Sequence, residues 1–174
     1  MQHIKNIRIF LLLFSIGFIL WMGGSLIRSV IAFSVFEPSA TQTLVRQVSN
    51  DILMQSVYLF SATSSYTTLA YLLSLLCAVI ITLRLRNIFK ENGWLMMSAI
   101  LYFSTMPINL ILLYFDIRLS IEVFWNWRWE FYHPEILKYF LNRITNPLWN
   151  SLSGISFLAN LTIVYLVIFQ PLKK

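Results

Sequence analysis

Arg28 is the residue of this chain with the sharpest chemical demand, because it interrupts a long apolar run and a guanidinium there must find an anion or reach water. It lies about five helical turns into the run that begins at Ile9. Its stem is long enough to snorkel toward the headgroups, and its head can pair with a carboxylate. Three uses follow from that position: a structural ion pair, a contact with a lipid headgroup, or a catalytic or transport role. Glu37, Asp116 and Glu122 are the candidate partners, and Asp116 with Arg118 closes a later apolar run on the same side. Asn109 and Asn160 are polar groups expected at membrane depth, where they either bond between helices or, with Arg28 and Pro107, line a ligand site. The candidate polar cluster is therefore Arg28, Asp116, Arg118, Glu122, Asn109 and Asn160.

Other reactive types are sparse. His3 and His133 are the two histidines, and neither has a second ligand at metal-binding helical spacing. His133 adjoins Pro134 between Glu130 and Glu135, which suits a solvated or capping role. No Gly-rich phosphate loop, nucleophile elbow or paired-histidine cofactor pattern occurs, so no cofactor, metal or catalytic residue is expected. An enzyme acting on lipid headgroups would need Asp116, Glu122, Glu130 and His133 to converge. Cys77, the single cysteine, sits in an apolar run and reads as buried filler. The sequon at Asn160 falls inside a span, which excludes glycosylation there.

The elements that must position these groups follow from composition. The 174 residues are 58% hydrophobic and only 11% charged, where a soluble domain carries roughly a quarter. Charged residues partition the chain into four apolar stretches of the length a bilayer requires, at about 9–36, 66–83, 93–115 and 147–172. The first could mimic a secretory signal, but its 9–27 run is too long and lacks a small-residue cleavage site, so it reads as a retained span. The expected fold is an all-α polytopic bundle of four transmembrane helices, forming one domain. Short amphipathic interfacial helices are expected in the first and third connections, at about 41–60 and 117–145.

In the first connection, Glu37, Pro38 and Ser39 break the helix, and Ser39 or Thr41 offers an N-cap. Leu44, Val45, Val48 and Ile52 then recur at helical spacing. That helix either lies in the interface or packs on the outer end of the bundle. Thr63, Ser64, Ser65, Thr67 and Thr68 form a hydroxyl-rich entry to the second span, suited to capping and cross-helix bonds. In the third connection, Ile136, Leu137, Phe140 and Leu141 share one helical side. Trp125, Trp127 and Trp129, with Trp149 at the start of the last span, mark a belt at headgroup level.

Packing faces are readable as well. Ala70, Ser74, Ala78 and Thr82 recur every four residues as a small-residue stripe, and Gly23 and Gly24 allow a close contact or bend in the first span. Pro107 is expected to kink the third span.

Orientation follows from the basic residues. With both termini and the Arg84, Arg86, Lys90 connection on one side, that side carries the whole formal charge of +6 and the other is neutral. The termini are thus expected on the cytoplasmic or equivalent side of a bacterial or organellar inner membrane. The basic balance needs anionic lipid and no nucleic acid.

Trp21, Met22, Gly23 and Gly24 with Phe36 and Pro38, and Gly154, Ile155 and Ser156 with Asn160 and Leu161, resemble the outer spans of small four-helix membrane proteins grouped as a domain of unknown function. That group is similar in layout to copper-resistance membrane proteins. The pattern tends to place a histidine before the glycine of the last span, where this chain has Ser153, so the resemblance implies a layout and no activity.

The leading functional expectation is a non-catalytic subunit or scaffold that binds partner membrane proteins or lipid. The competing expectation is a small transporter or ligand-binding protein with a polar site between the helices, and the weakest is the headgroup enzyme above.

Overall fold

The computed structural model describes residues 2–38, 43–45, 48–89 and 92–171, with side chains described outside 2–6, 36–38 and 43–45. Five α-helices dominate: α1 (Gln2–Val35), α2 (Asn50–Leu85), α3 (Gly93–Ser120), α4 (Pro134–Ile144) and α5 (Pro147–Phe169). A minimal antiparallel hairpin, β1 (Phe36–Pro38) against β2 (Thr43–Val45), links α1 to α2 in the register Phe36 to Val45. Four stretches are long and apolar enough to cross a membrane: Ile7–Val35, Asn50–Ile88, Gly93–Trp125 and Pro147–Phe169. The chain is an all-α polytopic bundle, with a membrane-embedded location supported by those four helices.

Two expected boundaries move. The interfacial helix expected at 41–60 is not a separate element: 43–45 is a strand, and 50–60 are the first turns of a continuous α2. Ser39, Thr41 and Arg46 lie outside the described residues, and α2 starts instead after Ser49. Two causes merge the segments. Leu53, Met54, Val57 and Phe60 bury against the far end of the bundle rather than lying on a membrane. The hydroxyls that could have interrupted the helix bond back to its own carbonyls, Thr63 to Leu59 at 2.7 Å, Ser64 to Ser61 at 2.8 Å and Thr67 to Thr63 at 3.1 Å. At 36 residues α2 runs about 54 Å, well past a hydrocarbon core of about 30 Å.

The third span likewise continues past 115, through Ser120 and into a π-type turn at Ile121–Trp125. Its end is set by Trp127, which takes a left-handed backbone at φ 50° while the Arg128 N–H returns to the Glu122 carbonyl at 3.2 Å. Of the 117–145 segment only α4 is an independent helix, and it is amphipathic as its spacing predicts, burying Ile136, Tyr139, Phe140 and Ile144. Pro134 occupies its first turn, and His133 caps it, Nδ1 accepting from the Glu135 N–H at 3.3 Å. Asn146 caps α5 the same way, accepting from the Leu148 N–H at 3.1 Å.

Two apolar cores result. One closes the hairpin end as a cap, where Val35, Leu53, Val57, Leu119, Val123, Phe131, Ile136 and Phe140 are essentially sealed from solvent. The other lies within the spans around Phe18, Trp21, Ala70, Tyr71, Ala78, Tyr102, Leu113 and Ile163. Here α1 packs chiefly on α2 and α3 chiefly on α5, while the backbones of α1 and α5 seldom approach each other. The α1–α2 seam is close because glycines permit it: a Cβ on Gly17 would sit 2.7 Å from the Ala70 carbonyl oxygen, and one on Gly24 would overlap the Thr67 methyl.

Candidate functional site

The buried face of α1 recurs at Gly17, Trp21, Gly24, Arg28, Ala32 and Val35, a single helical stripe. Arg28 therefore cannot turn away from the bundle, and it is only 5% exposed. Its Nη1 makes a close charge-assisted bond to Asp116 Oδ2 from α3, and its Nη2 lies 3.4 Å from Ser25 Oγ. The guanidinium also stacks over Phe60 of α2, 5.6 Å from the ring centre. Asp116, 2% exposed, accepts a second cation at Oδ1: Arg143 Nε from α4, at 3.2 Å. Burial pushes the Arg143 guanidinium down from its ordinary value, Asp116 pulls it back up, and Arg28 lowers it again.

Two guanidiniums thus share one carboxylate, leaving a formal charge of +1 in a largely desolvated place. Among the described residues Asp116 is the one carboxylate paired to either arginine. Arg28 Nε is buried without a hydrogen-bond partner. Glu37, a candidate partner for Arg28, has its side chain outside the described set.

Space adjoins this cluster. A small chamber of about 40 Å³ is lined by Arg28, Asp116, Arg143, Ser25, Asn109 and Ser153 among others. A wider cleft of about 250 Å³ shares Arg28, Arg143, Ser25 and Ser153 and runs out between α1 and α5 past Leu26, Phe33, Gly154 and Phe157.

Below the cluster a polar chain crosses from α3 to α5. Ser156 Oγ donates to Asn109 Oδ1 at 2.8 Å, and Asn160 Nδ2 donates to the Ser156 carbonyl at 2.7 Å. Asn160 Oδ1 is buried without a partner, and the Tyr71 hydroxyl approaches Asn109 without hydrogen-bond geometry. Helix α3 runs unbroken through Pro107. On the other flank, Ser120 Oγ lies 2.8 Å from Ser64 Oγ and donates to the Asp116 carbonyl at 2.9 Å, tying α2 to α3 beside the carboxylate.

Of the six residues expected to cluster, Arg28 and Asp116 meet directly, Asn109 lines the same chamber and Asn160 joins it through Ser156. Arg118 and Glu122 go elsewhere. Arg118 bonds the Tyr139 hydroxyl at 3.3 Å and lies over that ring, while Glu122 pairs with Arg128 at 3.0 Å and accepts from Asn126 at 2.8 Å. With His133 engaged as a helix cap, the four groups a headgroup enzyme needs are each committed separately, except Glu130, which is exposed. Among the described residues no group of three His, Cys, Asp or Glu could hold a metal.

Arg143 is the member of the cluster that the sequence does not single out. The signal was present: Ile136, Phe140 and Arg143 fall at i, i+4 and i+7, so the arginine sits on the buried stripe of its helix. Of the packing residues, Gly24, Ala70, Ser74 and Ala78 lie in buried seams and Thr82 is half-buried, whereas a Cβ on Gly23 would meet nothing. Trp125 and Trp127 project from the outside of the cap at 83% and 73% exposure. Trp129 stacks on Tyr58 and Trp149 meets Phe115 edge-on.

Comparison with protein-family models, with curated proteins and with solved structures finds no match to this chain. The layout resemblance to copper-resistance membrane proteins has no support from those comparisons.

Proposed function

We propose that this chain is a membrane-embedded, non-catalytic binding protein for an anionic ligand. The observation that carries the reading is the Arg28–Asp116–Arg143 cluster, whose one carboxylate answers a buried and a half-buried guanidinium and leaves one positive charge beside an open cleft. Ionisable groups at such depth are costly, and a cluster built only for stability would be expected to balance its charge. Arginine, with a planar fork of donors that stays protonated, suits retention of a phosphate, sulfate or carboxylate. The charge asymmetry of the chain supports termini on the cytoplasmic side of a bacterial or organellar inner membrane, with the site near the opposite face.

The test is a thermal-shift panel on the purified protein in mild detergent, using acetate, sulfate, phosphate and anionic lipids. At least one anion should raise the melting temperature, and Arg143→Gln should abolish that gain. A panel with no response would remove the reading.

A second reading, a scaffold for partner membrane proteins, is favoured by the exposure of Trp125 and Trp127 on the cap, since large bare indoles are enriched at contact surfaces. Stoichiometric partners after mild purification would support it, and a lone monodisperse monomer would count against it. The same indoles also fit a headgroup belt, so the anion site carries more weight.

A further inference from the structure

The walls and depth of the cleft say which anion fits. Arg28 stands seven residues before Val35, the end of a candidate span of 29 residues that measures about 43 Å. That is close to a whole bilayer with its headgroups, so Arg28, about 10 Å in from one end, falls near the boundary between headgroups and acyl chains. A ligand arriving there from the side meets apolar walls first, Leu26 and Phe33 on α1 and Phe157 on α5. The backbones of α1 and α5 seldom approach each other, and the cleft between them opens to the outside of the bundle.

We propose that the cleft between α1 and α5 is a lateral-entry site for the phosphate of a monoanionic phospholipid, held by Arg28 and Arg143 with its acyl chains left between the two helices. The proposal deepens the anion-binding reading and rests on it. Three features choose phosphate on a lipid over other anions. The residual charge of the cluster is +1, which a phosphodiester neutralises without excess. Polar groups line the cleft from three helices, the guanidiniums of Arg28 and Arg143 and the hydroxyl of Ser153, while Ser25 and Ser29 already donate to the Trp21 and Ser25 carbonyls; convergence from three sides suits a tetrahedral group better than a planar carboxylate. The apolar wall residues line one continuous opening with the charged floor, as an amphiphile requires. Gly154 stands at the mouth, and a Cβ there would meet nothing, which keeps the opening free of side chain.

The experiment is native mass spectrometry of the full chain in detergent with phosphatidylglycerol, phosphatidylcholine or inorganic phosphate. Phosphatidylglycerol adducts should survive at least tenfold better than phosphatidylcholine adducts. Arg143→Gln and Gly154→Leu should each cut them about tenfold. Gly154→Leu carries the test should Arg143→Gln fail to fold, since it leaves the ion cluster intact, fills empty space and replaces glycine inside a helix with a better helix former. If inorganic phosphate binds and Gly154→Leu changes nothing, the lateral lipid route is overturned while the anion site stands. If phosphatidylglycerol and phosphatidylcholine adducts are equal and neither variant alters them, the lipid is generic annular lipid and the proposal is lost. If no phosphate species binds but sulfate or acetate still protects against heat, the phosphate assignment fails and the broader reading survives.

Discussion

The cap at the hairpin end and the spanning half of the bundle are built from the same helices, yet they bury different things. The cap seals large apolar side chains, Phe131, Ile136 and Phe140 among them, as a small soluble domain would. The spanning half has an apolar core too, but it also brings backbones together at Gly17 and Gly24 and crosses its helices with the Ser156–Asn109 bond at 2.8 Å and with Ser74 and Tyr102 at 2.9 Å. The difference follows from the solvent on the outside. Where water surrounds a core, removing apolar area from it stabilises; where lipid does, a leucine gains little by turning inward, and close packing and polar bonds must hold the helices. The Arg28–Asp116–Arg143 cluster lies where the two regimes meet, with ligands drawn from two spans and from the capping helix α4.

That contrast can be broken by substitution. The largest loss is expected from Asp116→Leu, which strands the buried Arg28 and the half-buried Arg143 and should cost about 4–5 kcal/mol, read as a fall in the SDS-unfolding midpoint by tryptophan fluorescence. Phe140→Ala in the cap should cost about 3–4 kcal/mol by the same assay, through a cavity in a sealed core. Gly17→Val should cost about 1–3 kcal/mol, because the obstructing atom is the Ala70 backbone and cannot swing aside. Ser156→Ala in the span, which removes the cross-helix bond to Asn109, should change stability by only about 0.6 kcal/mol, the usual size of an interhelical side-chain bond in a membrane. Should Ser156→Ala prove as damaging as Phe140→Ala, the two halves are not held by different forces and the comparison fails. Trp125→Ala is expected to have the smallest effect on unfolding, since its ring is mostly bare.

The site was half legible before any coordinates. Arg28 announces itself by standing in an apolar run, and Asp116 by closing another, so their pairing could be anticipated from the need of a buried cation for an anion. Arg143 was hidden among Arg118, Arg128 and Lys138, because charges in a connection look alike until the helix that carries them is phased. Arg118 was assigned to the cluster on sequence proximity to Asp116, but two residues on a helix differ by about 200°, which sends it to Tyr139 instead. In the segment before the second span, packing on the outer end of the bundle holds, but through Leu53, Met54, Val57 and Phe60; Val48 and Ile52, read as the apolar face, are exposed because 43–45 is a strand and the helix starts only at Asn50.

Composition and the spacing of charges alone determined that this chain has four helices able to cross a bilayer, because hydrocarbon penalises charge wherever it occurs along a span. Which guanidiniums share Asp116, and that the cleft beside them opens between α1 and α5, only the tertiary structure decided. Those facts depend on the rotation of each helix about its own axis and on which helices are left unpacked, and both are set by contacts between residues distant in sequence.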